Sequence, residues 1–537
     1  MRKLVSAVLF STLVLTGCKS RDRVSPGQEE HGLSLDLEAR NESPAVIRDQ
    51  AIENARSAGA LGNGEMGSGA GVTSGFASVD KPGEAYHDWG KNPWTDASKD
   101  HLSTFAADVD TASYTIARRK LNEGTLPDPA SVRVEEFVNY FRYQFPAPAE
   151  RTPFAVVMQA APSPLQAGRE ILRVGVATKE KSIVERKPAH LVFLVDVSGS
   201  MDEPDKLPLA KESLRILTNN LKDGDTVALV TYAGETKLVL KPTGLEHKAQ
   251  ILAAIDELEA AGSTGMASGI DIAYTQAMAG LAPGAISRVI VCTDGDANVG
   301  AHTHEEILKI IESRAKAGVT LSTIGFGMGN YKDELMEQLA DHGNGNNFYI
   351  DSVSAAKKVF QEQLGSTLEV VAKDVKLQVD FDPALVAQYR LVGYEDRDIA
   401  DNDFRNDKVD AGEVGAGHQV SALYELELTA KGAQANAPVA TLRVRYKQPT
   451  GETATEAGFP MVGGPLPMFA QATADFRFAF AVAAFADVLR GGQDAEHWSL
   501  AQIRDLAKQA SGDDPDRLEL VGLIDKAIAL HGRTAMR

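Results

Sequence analysis

The five residues Leu191 to Val195 are continuously apolar and end at Asp196. An alternating strand can keep one face in water, whereas an unbroken apolar run must be covered on both faces, as in a parallel sheet. Leu207, Ala210, Leu214, Leu217 and Leu221 then recur at helical spacing and line one face. The strand-loop-helix unit repeats. Strand signals at 226–232, 288–293 and 319–325 alternate with helical signals near 248–260, 266–279, 305–316 and 332–341, and Lys237 to Lys241 reads as an antiparallel edge strand. Such alternation predicts an α/β domain over residues 189–366, a doubly wound, mostly parallel, Rossmann-like sheet.

Ligands of such sheets sit beyond the carboxyl ends of the strands. Two of those ends carry matching chemistry. Asp196-Val-Ser198-Gly-Ser200 follows the first strand, Asp294 follows the fourth, and the loop Gly262-Ser-Thr264-Gly supplies another hydroxyl. Every candidate donor is oxygen. Cys18 and Cys292 are the only cysteines, too few for a disulfide framework or a cysteine-held zinc.

The set Asp196-x-Ser198-x-Ser200, with the later Thr264 and Asp294, resembles the metal-ion-dependent adhesion site of von Willebrand factor A domains. The resemblance implies direct coordination by Ser198, Ser200 and Thr264, with Asp196 and Asp294 acting largely through bound waters. Neutral hydroxyls leave a cation under-neutralised, so it seeks one more anionic oxygen from outside the domain. The implied ion is Mg²⁺, which favours octahedral oxygen sites that retain waters, with Mn²⁺ or Ca²⁺ as alternatives. The implied partner is a protein that presents an acidic side chain.

Rival readings of the same residues fare less well. Asp294, Asp296, Asn298 and Glu305 match four positions of a calcium loop, but Val299 stands where the sharp turn needs glycine. Thr303 and Glu306 form a capping box instead, so a helix starts there. Ser198 and Ser200 lack the Gly-x-Ser-x-Gly elbow of a hydrolase nucleophile. His302 and His304 lack a His-Glu-x-x-His helix. Cys292 lies inside an apolar strand and reads as a small buried hydrophobe. No catalytic residues are assigned. The expectation is a binding protein, with an enzyme or enzyme accessory, chelatase-like or hydrolytic, as the alternative.

The flanks differ in character. Arg2 and Lys3, the apolar stretch Leu4 to Val14, and Leu15-Thr16-Gly17-Cys18 read as a signal peptide over residues 1–17, similar to bacterial lipoprotein signals with their lipobox. Cleavage before Cys18 and acylation of its thiol and amino group would anchor the chain to membrane. Lys19 stands where inner-membrane retention usually places Asp, so the expected location is the bacterial cell envelope, at the outer membrane. Residues 18–85 are polar and Gly/Ser-rich and read as a flexible tether, with a reach of roughly 45 Å. The formal charge of −19 makes nucleic acid an unsuitable partner.

Residues 86–188 read as a small α+β domain. It has helices near 111–123 and 132–145 and strands at 154–160 and 171–177. Asp108, Asp110, Thr111 and Ser113 crowd the first helix start and read as caps, and Arg118 and Arg119 suit its carboxyl end. Residues 367–537 read as a β-rich domain, with strands at 368–381, 389–394, 419–429 and 439–446, followed by helices. Its turn 395–410 alternates acids with Arg397 and Arg405 and reads as solvated. The helix Ala474 to Leu489 is apolar nearly all round, but Asp475, Arg477 and Asp487 place it in a protein interior rather than a membrane.

The order of these parts carries further motifs: Asp-Val-Asp-Thr-Ala-Ser-Tyr at 108–114, Val-Arg-Val-Glu-Glu-Phe-Val-Asn-Tyr-Phe at 132–141, Gly-Tyr-Glu-x-Arg at 393–397 and Asp-Ala-Gly-Glu-Val-Gly-Ala-Gly-His at 410–418. Together they resemble the YfbK-like bacterial von Willebrand factor A lipoproteins. That resemblance implies architecture and a metal site, and brings no reaction with it. The signal generates a direct test. Mass spectrometry of the mature protein should find Cys18 at the amino terminus and acylated, and Cys18→Ser should leave the membrane fraction.

Overall fold

The computed structural model describes residues 84–534 apart from 150, 151, 183, 263, 264, 296–302, 328, 330, 364–367, 493, 494, 496 and 497. Cys18, residues 19–83 of the expected tether, Thr264, Asp296, Asn298 and His302 lie outside the described residues, whereas Glu84 and Ala85 at its end are fixed, to Lys120 and to the Tyr331 carbonyl. Strands β1 (Thr95–Asp96) and β2 (Leu102–Ala106) precede helices α1 (Ala112–Asn122) and α2 (Val134–Asn139), which lead into the antiparallel pair β3 (Phe154–Pro162) and β4 (Glu170–Thr178).

The apolar run around Leu191 becomes β5 (Ala189–Asp196), followed by α3 (Leu207–Asn219), β6 (Thr226–Tyr232), β7 (Thr236–Gly244), α4 (Lys248–Asp256), α5 (Met266–Ala279), β8 (Ile286–Thr293), α6 (His304–Lys316), β9 (Val319–Phe326), α7 (Asp333–His342), β10 (Asn347–Ile350) and α8 (Val353–Lys357). The strands order as β10-β9-β8-β5-β6-β7. All neighbours are parallel except β6 and β7. β5 is thus bonded on both edges and apolar on both faces. Leu191, Phe193 and Val195 enter one core, Val192 and Leu194 the other. The doubly wound α/β expectation holds, including the antiparallel edge. β10 had no clear signal, because four residues are too few to show a period. α8 continues as a wider π turn over Lys358–Glu362.

The remaining elements are β11 (Val370–Phe381), β12 (Val386–Val392), β13 (Val414–Gly415), β14 (Gln419–Leu428), β15 (Ala440–Lys447), β16 (Ala454–Pro460), α9 (Ala474–Leu489), α10 (Leu500–Ser511) and α11 (Pro515–Thr534). Here the pairing corrects the expectation of separate flanking domains. One sheet runs β1-β12-β14-β4-β3 and another β13-β11-β15-β16, with β2 paired to β11. Strands from before and after the central domain therefore share both sheets. Their inner faces also share one core, in which Phe154, Leu172 and Val174 pack with Leu377, Phe381 and Leu426. Neither set of strands could bury its apolar face without the other.

The helices interlock in the same way. α9 is buried around its whole circumference, and Phe485 packs edge to face against Phe137 of α2 with ring centroids 6.5 Å apart. Both of its aspartates are met inside the protein. Asp487 accepts from Arg490 at 2.8 Å, and Asp475 pairs with Arg517 at 2.7 Å. Among the described residues no helix is long and apolar enough to cross a membrane.

Two readings of polar segments are corrected. Thr111 occupies the cap position of α1 without a capping bond from its side chain. Asp110 instead accepts from the backbone of Asn347 in β10 at 3.0 Å, and the Ser113 hydroxyl donates to the carbonyl of Ser131 at 2.6 Å. Arg118 and Arg119 likewise reach outward, to Asp351 and to Asp205. The 395–410 turn is not simply solvated, because Asp396 and Arg397 have side chains only 4% and 12% exposed. Local patterns could not reveal these roles, since Asn347, Asp351 and Asp205 are distant in sequence from the groups they meet.

Phe485→Ala should remove the contact between the two flanks and cost about 3–5 kcal/mol. Urea denaturation of the variant against wild type measures it.

Candidate metal centre

β5 and β8 are adjacent and in register, Val195 opposite Cys292, so Asp196 comes level with Thr293 and Asp294 follows one residue beyond it, close enough for its charge to act on Asp196. Both carboxylates are buried, at 0% and 1% exposure. Asp196 accepts from the backbone N–H of Ser198 at 2.8 Å and from the Thr293 hydroxyl at 3.0 Å. That hydroxyl in turn accepts from the Gly295 N–H at 3.1 Å. Burial lifts the Asp196 carboxyl to about 6, the Ser198 bonds pull it down, and the Asp294 charge adds to the rise. The group is therefore ionised at neutral pH.

A short 3-10 turn over Gly199–Met201 follows Asp196. It brings the hydroxyls of Ser198 and Ser200 to 3.0 Å from each other. The turn is bound to the loop that leads towards Thr264. Gly199 N–H donates to the Gly262 carbonyl at 3.0 Å, and Ala261 N–H to the Val197 carbonyl at 2.7 Å. The structure thus brings together Asp196, Ser198, Ser200 and Asp294 at one end of the sheet, and holds Gly262 beside them. Two hydroxyls and two carboxylates form a hard oxygen set that fits a divalent cation such as Mg²⁺, Mn²⁺ or Ca²⁺ and gives no purchase to soft metals.

Lys206 completes the group. Its ammonium donates to Asp294 Oδ2 at 3.0 Å and to the Ser200 carbonyl at 2.9 Å, and the residue is 6% exposed. Sequence reasoning missed it. A signal existed, because Lys206 directly precedes α3, where the helix dipole disfavours positive charge.

The other candidates resolve simply. His304 shares a hydrogen bond with Gln338 at 2.7 Å. Thr303 and Glu306 make the expected capping box. Cys292 is a buried free thiol whose pKa is raised by burial. Among the described residues no group of three or more His, Cys, Asp or Glu side chains is placed to hold a metal, so any cation here depends on the hydroxyls.

Three families match successive stretches of the chain. Residues 80–173 match a family described as von Willebrand factor, 190–362 match the von Willebrand factor type A domain, and 366–530 match the family described as "Uncharacterized protein YfbK, C-terminal". The chain is 40% identical over 476 residues to YfbK of Escherichia coli (strain K12), covering 84% of this chain and 82% of that one. It is 24% identical over 312 residues to the sll0103 protein of Synechocystis, covering 57% and 71%. A solved von Willebrand factor type A structure from Catenulispora acidiphila, 18% identical, aligns over 70% of this chain and 89% of its own with a TM-score of 0.41.

Gly295 fixes where Asp294 points. Its φ is +85°, and an added Cβ would lie 2.7 Å from the Lys332 nitrogen and 2.8 Å from the Tyr331 Cα. Gly284 has a similar φ of +80° with nothing within 4 Å. Gly295→Ala should therefore destabilise more than Gly284→Ala, by about 1–3 kcal/mol of added strain. Equal urea midpoints for the two variants would refute the packing argument.

Proposed function

The chain belongs to the YfbK family of von Willebrand factor type A proteins, and on that premise we propose that it is a metal-dependent protein-binding lipoprotein of the bacterial envelope. Asp196, Ser198, Ser200, Thr264 and Asp294 hold a divalent cation, and a carboxylate from a partner protein completes its coordination. The cation supplies a Lewis-acidic attachment point for that carboxylate. Cys18 carries the lipid anchor, the location is the outer membrane, and the protein is not an enzyme.

One observation carries the reading. Asp196 already accepts hydrogen bonds on both oxygens and Asp294 Oδ2 faces Lys206, whereas the hydroxyls of Ser198 and Ser200 stand together on one turn. The carboxylates are placed to orient water, and the neutral hydroxyls are left for the cation, which keeps positive charge to offer a partner. The Ser198 hydroxyl faces both the Ser200 hydroxyl and the Asp196 carboxylate, contacts that hold it on the turn with its neighbours. A chain of formal charge −19 repels an acidic partner at long range, but screening confines that repulsion to about 10 Å, so recognition depends on short-range coordination.

Thermal melts test the site. A cation at a hundredfold excess over Kd should stabilise wild type by about 2.7 kcal/mol. Asp196→Ala should lose most of that gain and the partner binding while staying folded, and Ser198→Ala should lose less and recover at high Mg²⁺. Lys206→Met should melt lower in chelator, because Asp294 loses its counter-charge, and should gain more from Mg²⁺ than wild type. An identical Mg²⁺ response in wild type and Asp196→Ala would sink the reading.

A further inference from the structure

Three segments meet at a second buried cluster of charges, made of residues other than those of the metal centre. α2 contributes Glu135, α7 contributes Glu337, and the turn Glu395–Arg397 contributes Asp396; none of the three carboxyls is more than 8% exposed. Glu135 Oε2 accepts from the Tyr394 N–H at 2.8 Å, and Glu337 Oε1 accepts from Arg397 Nη2 at 3.0 Å. Glu135 Oε1 and both oxygens of Asp396 accept no hydrogen bond from an N–H or hydroxyl, although Arg397 Nε lies 3.3 Å from Asp396 Oδ2. Asp396 instead faces the carboxyls of Glu135 and Glu337 at hydrogen-bonding range. Acceptors that face acceptors in a buried place repel unless a proton or a cation lies between them. Among the described residues no set of carboxylates is placed to hold a metal, which leaves the proton.

The surrounding charges do not remove that need. On the α2 side Arg133 pairs with Glu136 and with Asp333 of α7, and lies 3.5 Å from Glu337. Arg397 serves Asp341 at 2.8 Å and lies 3.5 and 3.6 Å from Asp110 and Asp108, besides 3.3 Å from Asp396. Glu395 is taken by Arg490 at 2.9 Å. Two guanidiniums are thus divided among more carboxyls than they can neutralise.

We propose that this junction is a proton-operated latch, in which protonated Glu135 and Glu337 donate to an ionised Asp396 and so tie α2 and α7 to the 395–397 turn. Burial raises all three carboxyls, and at Asp396 alone the charges of Arg397 and Arg133 and the facing glutamates outweigh it. Glu135 and Glu337 are held well above the usual carboxyl range, Asp396 is held below it, and Glu136 and Asp108 are raised to about 7 and about 6. The sign follows. Groups raised on folding bind more protons in the native state, so stability is greatest below their unfolded values near about 4.5 and falls as pH rises through their folded values. Asp396 contributes in the opposite sense, and only at acid pH. α7 starts at the Tyr331–Lys332 segment against which Gly295 packs, so the latch acts on the helix next to Asp294.

The test is thermal melting of the full chain in chelator at about pH 5.5 and about pH 8.5, for wild type and the Glu135→Gln/Glu337→Gln double variant. The amides stay neutral and still donate to Asp396. Wild type should lose stability on going to the higher pH and the double variant should lose clearly less, so that the variant is the more stable of the two at about pH 8.5. Deuterium uptake by α7, corrected for intrinsic rate, should rise in wild type by about tenfold for each carboxyl titrated across one pH unit, and rise less in the variant. If the double variant does not fold, Asp396→Asn, whose amide donates to ionised glutamates, must show the same shallower pH dependence. Parallel pH dependences in wild type and variant would overturn the proposal. So would a Ca²⁺-induced rise at about pH 8.5 that the variant lacks, which would put a cation where we place protons.

Discussion

β5 is the constraint from which the rest follows. It is apolar on both faces and bonded on both edges, so it can exist only inside a sheet whose two sides are covered by helices. That requirement dictates crossover helices, which in turn send successive strands the same way and collect their carboxyl ends at one edge. Asp196 and Asp294 are near each other for this reason, and not through any attraction, since two carboxylates in a place of 0–1% exposure repel each other. The sheet holds them there, and Ser198, Thr293 and Lys206 make the arrangement tolerable by donating to them.

Outside the central domain the logic is mutual dependence. β3 and β4 cover the same sandwich core as β11, β12, β14 and β15, and α9 fills a core shared with α1 and α2. The central domain is thus inserted, in chain order, between two halves of one surrounding structure. Charged contacts then join that surround to the domain: Arg118 to Asp351, Arg133 to Asp333, and Arg397 to Asp341. Pairs of this kind are expensive to bury and contribute mainly by being costly to break, which suits them to fixing how the parts sit rather than to supplying stability.

Much of the central domain was legible because its signals are local. The apolar run at β5 is read within five residues, the face of α3 within fifteen, and the capping box at Thr303 within four. The oxygen set was legible for the related reason that Asp196, Ser198 and Ser200 are neighbours in sequence and Asp294 ends a strand of the same type. Lys206 was passed over because a lysine ordinarily reads as surface; its place before a helix, where the dipole disfavours positive charge, was the one hint, and the fold shows its ammonium turned inward.

The amino-acid sequence alone determined the periods and chemistry of the segments: which stretches must be covered on both faces, where helices start, and which oxygens stand at strand ends. Tertiary structure decided what meets across long stretches of chain. It joined β4 to β14 and β2 to β11, turned Asp110 from a helix cap into a partner for β10, and drew Asp396 from an acid-rich turn into a buried junction. The physical reason is that burial and pairing belong to sums over distant residues. A carboxylate beside an arginine in sequence looks solvated until packing removes the water around both.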